Sequence, residues 1–249
     1  MEYMVGKNST EFSILIHAYN EAGNIVFTIQ ETVKVLEGFN PNYEILIIDD
    51  GSVDNTYRNV IEFLSSNNSK VKIEKYTPNM GKGFALKYGI DFLRGKYVLF
   101  LDADLDLHPS HLIDLFKIMQ KKNADVVIGS KMHKDSVLNY PKIRRILSSS
   151  YYFIVRFLFR LPVKDTQTGI KLFRYEVLKD CISRILIKRY AFDLELLITA
   201  HRKGFKIVEA PIKLKTKRAS GRIGLKDAFW VLIDTFGIFL RFYIKKYYN

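Results

Sequence analysis

With 249 residues, 48% of them hydrophobic and 26% charged, the chain can bury a sizeable core and is not a disordered segment. Its single cysteine, Cys181, excludes an internal disulfide and a cysteine-built zinc site, and its five histidines show no H-x-x-x-H spacing. The formal net charge of +13 is uneven: residues 1–130 carry 13 Lys and Arg against 17 Asp and Glu, residues 131–249 carry 26 against 9. The second half is therefore the part expected to meet an anionic partner, whether a phosphate-bearing substrate, anionic lipid or nucleic acid.

Taken in order, Phe12 to Ala18 reads as a short apolar strand, followed by Tyr19-Asn-Glu-Ala-Gly23 and an amphipathic helix over about 24–37. Tyr43 to Asp50 repeats the pattern, a strand that ends in acids, and 51–56 is a turn and helix N-cap before a helix over about 57–64. Val71 to Tyr76 is a third strand, and Asn79-Met-Gly-Lys-Gly83 a glycine-rich turn before a helix that runs to about Leu93. A fourth strand ends in Asp102-Ala-Asp104-Leu-Asp106, and a helix over about 109–122 leads to a fifth strand at 125–130. Five alternations of strand and helix predict a mostly parallel, twisted α/β sheet flanked by helices.

The second half is less regular. Helices are expected over about 141–161 and 192–203, strands near 170–173 and 206–214, and a long terminal helix from about Leu225. No internal repeat or low-complexity linker divides the chain.

The fourth strand is the most informative stretch. Val98 to Leu101 has the continuous apolar character of a strand covered on both faces, so Asp102, Asp104 and Asp106 lie at a strand's C-terminal end, where open α/β sheets bind ligands. Three neighbouring carboxylates call for a compensating cation, and an oxygen-only set suits Mg²⁺ or Mn²⁺. The plainer reading is an acidic, solvated loop with Asp106 at a helix N-terminus.

The order of the motifs resembles the family 2 glycosyltransferases. It is carried by Tyr19-Asn20-Glu21, Asp49-Asp50-Gly51-Ser52 with Asp54 and Thr56, Asn79-x-Gly81-Lys82-Gly83, Asp102-Ala-Asp104, Gly129-Ser130-Lys131 and Asp165-Thr-Gln-Thr-Gly169. Within that family the chain is similar to the branch that makes dolichyl- or polyprenyl-phosphate sugars. Asp165 to Phe173 and Arg189 to Leu196 are closer to the glucosyl than to the mannosyl enzymes. Asp106 departs from the mannosyl relatives, which often have Gln there.

The resemblance implies a GT-A nucleotide-sugar-binding fold over 1–224, with 225–249 a C-terminal amphipathic helix. It implies metal ligation by Asp102, Asp104 and Asp106, and a nucleotide-sugar held by Ala18, Tyr19, Glu21, Asp50, Gly81, Lys82, Asp102, Gln167, Arg218 and Arg222. Lys131, Arg144 and Ser148 would meet the acceptor phosphate, with Arg145 a substitute for Arg144. Asp102, Asp104, Lys131 and Arg144 would carry catalysis. Glu21 also suits a turn acid, Lys82 a simple loop before a helix and Lys131 a solvated basic face. Asp193 could be a base for a hydroxyl acceptor or could orient the 165–169 loop. Arg218, Ser220 and Arg222 form a basic loop that could close over a diphosphate.

The implied reaction is inverting transfer of a hexose from a nucleotide-sugar, UDP-glucose favoured over GDP-mannose, to dolichyl or polyprenyl phosphate. The rival acceptor is a polysaccharide or glycolipid hydroxyl. Neither stacking platforms nor a groove-reading helix accompanies the positive charge, so no nucleic acid partner is expected. No leader peptide and no run of 18 uncharged apolar residues is found. The expectation is a peripheral protein on the cytoplasmic face of a membrane. It would be held by the apolar segments at 146–161 and 228–244 with their flanking Arg, Lys and Tyr residues, or through a membrane-embedded partner subunit.

Overall fold

The computed structural model describes residues 10–65, 69–139, 142–215 and 225–248, without the side chains of 139, 142–149, 215 and 225–228. Its centre is a seven-stranded sheet. The strands of the first half are β1 (Phe12–Ala18), β2 (Tyr43–Asp50), β3 (Val71–Tyr76), β4 (Tyr97–Asp102) and β5 (Val126–Ser130). From the second half come β7 (Ile170–Arg174) and β8 (Ile207–Pro211), giving the order β3-β2-β1-β4-β7-β5-β8. Only β7 runs antiparallel, between β4 and β5.

The central strands are apolar at most positions because both faces are covered. Leu15, Leu46, Ile48, Val98 and Phe100 face one core; Ile14, Ile16, Ile45, Ile47, Leu99 and Leu101 face the other. The first core is closed by α3 (Lys82–Ile90), α5 (Lys142–Phe159), α6 (Tyr175–Cys181), α7 (Phe192–Arg202) and α8 (Leu225–Tyr243), the second by α1 (Ile25–Phe39), α2 (Thr56–Ser65) and α4 (His111–Lys122). Register aligns the strand ends: Ala18 lies beside Asp49, and His17 beside Asp102. Cys181 is buried in the first core, and that burial pushes its thiol up to about 12, far from reactivity.

Three features differ from the sequence expectation. The strand expected at 206–214 is two strands, because at Ile212 the chain leaves β5: the Ile212 N–H is taken by Ser136 Oγ and its carbonyl by Val137 N–H. Beyond it β9 (Lys213–Lys215) pairs in parallel with a short β6 (Val137–Asn139). The seven-residue α6, too brief to show a period, was not anticipated.

The third difference is the chain's end. Tyr248, expected as an interfacial anchor, is 2% exposed, and its hydroxyl donates to the buried Glu195 carboxylate and accepts from Arg241 Nε (2.8 Å). Glu195 also accepts Arg241 Nη2 (3.0 Å) and, through its second oxygen, the N–H groups of Leu186 and Ile187 (2.8 Å each). With Ile238 fully buried, α8 is part of the first core. Replacing Glu195 with Ala strands a cation and two amides, so urea denaturation should show a loss of about 3 kcal/mol.

Candidate active site at the strand ends

The loops after β1 and β2 interlock. Asn20, at φ +54°, donates its N–H to Ser52 Oγ (2.9 Å) and accepts the Val53 N–H on its side-chain oxygen (3.0 Å). Glu21 N–H donates to Thr56 Oγ1 (2.7 Å), Ala22 N–H to Asp54 (3.1 Å), and Asn24 Nδ2 to the Glu21 carboxylate (2.7 Å). The two sequence motifs are therefore one structural unit. Ala18 is buried beneath it, Glu21 is nearly buried, and Tyr19 stands at the rim with 41% of its surface open.

Asp50 is the tie between this unit and the glycine-rich loop. Fully buried, its carboxylate accepts hydrogen bonds from Tyr76 OH (2.8 Å), Asn79 Nδ2 (3.0 Å), Met80 N–H (2.7 Å) and Gly81 N–H (3.0 Å), with His17 Nε2 at 3.3 Å. Burial pushes its pKa up, but the bonds from His17, Met80 and Tyr76 outweigh burial and hold it below the ordinary carboxylate range. The sequence suggested a carboxylate open to a nucleotide; here its lone pairs are filled by the protein. His17 was missed, although one histidine in an otherwise apolar strand was a usable signal.

The glycines of the next loop also have a different neighbour from the one expected. A Cβ on Gly81, at φ +96°, would lie 2.6 Å from the Lys188 carbonyl, and one on Gly83 would lie 2.5 Å from the Phe192 Cβ. The close approach they permit is to the 187–192 segment. That packing aims Lys82, the first residue of α3, at the sheet: its ammonium lies 2.7 Å from Asp102 and 3.9 Å from Asp193.

Behind Lys82 is a buried cation that sequence reading overlooked. Lys171 is 1% exposed near the start of β7, its ammonium 2.7 Å from Asp193 and bonded to the Thr168 carbonyl. Burial pulls that ammonium below the ordinary lysine range, against the pull of Asp193. A lysine inside Ile170-Lys-Leu-Phe173 was the signal. Asp193 is thus engaged in holding the 165–169 loop, through Lys171.

At the end of β4, Asp104 accepts the Asp106 N–H (3.2 Å), and Leu105 turns the chain at φ +55°. Among the described residues no group of three metal-ligating side chains is gathered, so the three-acid shell expected from the sequence is not preassembled. Mutual repulsion explains this, and Lys82 meets Asp102 instead. Two of the acids nevertheless fit a hard divalent ion, which needs only one or two carboxylates beside water and phosphate oxygens. A Cβ at position 169 would collide with the Asp102 carboxylate, so Gly169 is what leaves that carboxylate its space.

Across β7, Asp165 accepts the N–H groups of Lys131 (2.9 Å) and Gln167 (3.2 Å) and lies 3.7 Å from the Lys131 ammonium. Gln167 Nε2 is buried without a hydrogen-bond partner. The side chains of Arg144, Arg145 and Ser148, and all of Arg218, Ser220 and Arg222, lie outside the described residues.

Residues 13–182 match the family described as glycosyl transferase family 2. The chain belongs to that family. This family 2 glycosyltransferase is 32% identical over 212 residues to a dolichyl-phosphate beta-glucosyltransferase of Dictyostelium discoideum. It is 34% identical over 219 residues to the enzyme so named in Saccharomyces cerevisiae. Each match covers 80% of this chain but 65% of the relative, so the chain spans less than two thirds of those proteins. The glycosyltransferase AglD of Haloferax volcanii is 29% identical over 209 residues, 83% of this chain and 33% of that one. Among solved structures, glucosyl-3-phosphoglycerate synthase from Mycobacterium tuberculosis, in complex with Mn²⁺, uridine diphosphate and phosphoglyceric acid, superimposes with a TM-score of 0.68. The match has 20% identity and covers 93% of this chain and 78% of that one. The fold is GT-A, as the motifs implied.

Two outcomes follow from the site's charges. Lys171→Met leaves Asp193 and the Thr168 carbonyl without their cation and should cost about 3–5 kcal/mol in denaturant unfolding, part of it recovered when Asp193→Leu is added. Because the folded pKa of Asp50 lies below its ordinary 3.8, its contribution is full above about pH 4 and is lost as pH falls through the folded value. A Tm-against-pH series should show that acid limb, and Asp50→Asn should flatten it.

Proposed function

We propose that this family 2 glycosyltransferase moves glucose from UDP-glucose to dolichyl or polyprenyl phosphate, with inversion at the anomeric carbon. The observation that carries the reading is the meeting, at one sheet edge, of the β4 acids with Lys82, and of Asp165 with Lys131 one strand beyond. The dolichyl-phosphate glucosyltransferase relatives supply the substrate class, and the neighbour that binds uridine diphosphate with Mn²⁺ supports a uridine nucleotide and a divalent metal.

In this reading Ala18, Tyr19 and Glu21 border the nucleoside, Asp50 holds Gly81 and Lys82 in place, and Gln167 offers its unpartnered amide to the donor. Arg218 and Arg222 belong with the diphosphate, and Lys131, Arg144 and Ser148 with the acceptor phosphate. Asp102 and Asp104 would hold Mg²⁺ or Mn²⁺, with Asp106 beside them; the ion would stabilise negative charge on the departing diphosphate. The acceptor phosphate is largely dianionic near neutral pH, by analogy with phosphorylated side chains of second pKa about 6. Its oxygen can attack the anomeric carbon as the bond to the diphosphate breaks, without a strong general base. What the chain must supply is alignment and charge stabilisation. The engagement of Asp193 by Lys171 argues against a hydroxyl acceptor, which would need a free base.

Membrane attachment is part of the same proposal. Among the described residues no helix is long and apolar enough to cross a bilayer. Yet Phe153 and Phe157 on α5 and Phe229, Trp230, Leu232 and Phe236 on α8 are exposed, Phe157 by 85%. A bilayer interface on the cytoplasmic side would cover them and bring the lipid phosphate to Lys131; a membrane-embedded partner subunit is the other route.

Incubation with Mg²⁺, a polyprenyl phosphate and radiolabelled UDP- and GDP-sugars tests the reaction. Label from UDP-glucose should enter the organic phase; label arriving only on a sugar hydroxyl would sink the proposal. Asp104→Ala should lower turnover by at least about 100-fold with its circular dichroism unchanged, and full turnover of that variant in EDTA would remove the metal assignment.

A further inference from the structure

The cations of the described site all have carboxylate partners: Lys82 with Asp102, Lys171 with Asp193, Lys131 with Asp165. A second group of cations does not. Where α5 ends, Arg156, Arg160 and Lys164 line a hollow of about 390 Å³ with Tyr152, and no acidic residue lines it. Among the described residues no carboxylate forms an ion pair with the side-chain cation of any of the three.

The hollow is shaped by local geometry. Arg156 lies one helical turn after Tyr152, donates from Nη1 to the phenol oxygen (2.6 Å), and sits with its guanidinium 5.9 Å from the ring centroid. That bond fixes the direction of a planar, multidentate donor suited to phosphate oxygens. At Arg160 the chain leaves the helix with φ +52°, its N–H still bonded to the Arg156 carbonyl, and Leu161 to Val163 then bring Lys164 round to the same hollow.

We propose that this hollow binds the phosphate headgroup of an anionic phospholipid. Three cations without an ion-pair partner suit an anion with several oxygens. The same helix exposes Phe153 by 65% and Phe157 by 85%, beside and between the hollow's own Tyr152, Arg156 and Arg160. A soluble anion gives those rings no cover, whereas a bilayer covers them while its headgroups meet the cations. The inference rests on the membrane reading above and adds where the surface is gripped and by what chemistry. It also links grip to site: Glu209 accepts the N–H groups of both Lys164 (2.7 Å) and Asp165 (3.1 Å), and Asp165 is the residue that holds Lys131. The headgroup hollow and the loop bordering the acceptor side are thus one residue apart.

The test is co-sedimentation with phosphatidylcholine vesicles, with and without phosphatidic acid or phosphatidylserine. It compares the native protein, the variant Arg156→Gln/Arg160→Gln/Lys164→Gln, and the charge-matched control Lys117→Gln/Lys121→Gln/Lys122→Gln on α4. The hollow variant should lose about fivefold in partition coefficient per cation removed, and the control much less; circular dichroism verifies the fold. If the hollow variant misfolds, Arg160→Glu alone should still lose at least about fivefold. Equal losses in the two triple variants would reduce the effect to diffuse charge and overturn the proposal while leaving membrane attachment standing. Failure of the native protein to sediment with any anionic vesicle would overturn both. In a further arm, inorganic phosphate should displace the protein no more than chloride of equal ionic strength. Displacement beyond that would make the hollow a site for free phosphate and overturn the lipid assignment.

Discussion

A charged ammonium inside a β-sheet is unfavourable unless it is closely paired, and the site is arranged around the pair that Lys171 makes with Asp193. Lys171 sits on the sheet's antiparallel strand, threaded between β4 and β5, where its register partner on β4 is Phe100, two residues before Asp102. Through the Thr168 carbonyl it holds the turn that sets Gly169 against Asp102; through Asp193 it holds the first turn of α7 beside Lys82. Cations and carboxylates alternate along Lys171, Asp193, Lys82 and Asp102, so each charge is compensated by its neighbours. Removing a link strands a buried charge, whereas a neutral network would lose only a hydrogen bond.

This arrangement bears on chemistry as well as stability. The acid-rich first half and the basic second half are two sides of one sheet edge, brought together because β7 returns into the middle of the sheet laid down by the first half. In the proposed reaction, a negatively charged donor arriving there would meet a surface already balanced internally. Binding must therefore rearrange ion pairs, as well as fill space.

Much of the first half was legible because burial on both faces leaves the strands almost no polar residues. The limits of β1 and β2 were read directly from their apolar runs, and β3 from the alternation in Val71-Lys-Ile-Glu. Partners across long sequence separations were not legible. Nothing local in Asp49-Asp50 says that the second carboxylate is consumed by Tyr76, Asn79, Met80 and His17, and nothing local in Gly81-Lys-Gly83 says that the close neighbour is Phe192. Likewise Tyr248, beside two lysines at the end of the chain, has the composition of an interfacial anchor. Its burial depends on a glutamate 53 residues earlier.

That glutamate gives the last helix a double character. Glu195 joins the foot of α8 to the backbone of Leu186 and Ile187, and the residues that follow, Ile187 to Phe192, form the wall against which the glycines of the 79–83 loop pack. The helix with the exposed aromatic face is therefore also a buttress of the 79–83 loop, two packing contacts removed. A force applied to α8, whether from a bilayer or a partner, has a short rigid path to Gly81. For the same reason, cutting the chain before α8 would remove more than an exposed aromatic face. It removes the packing of Ile238 and takes Arg241 and Tyr248 from a buried carboxylate, and the 79–83 loop loses its backing with them.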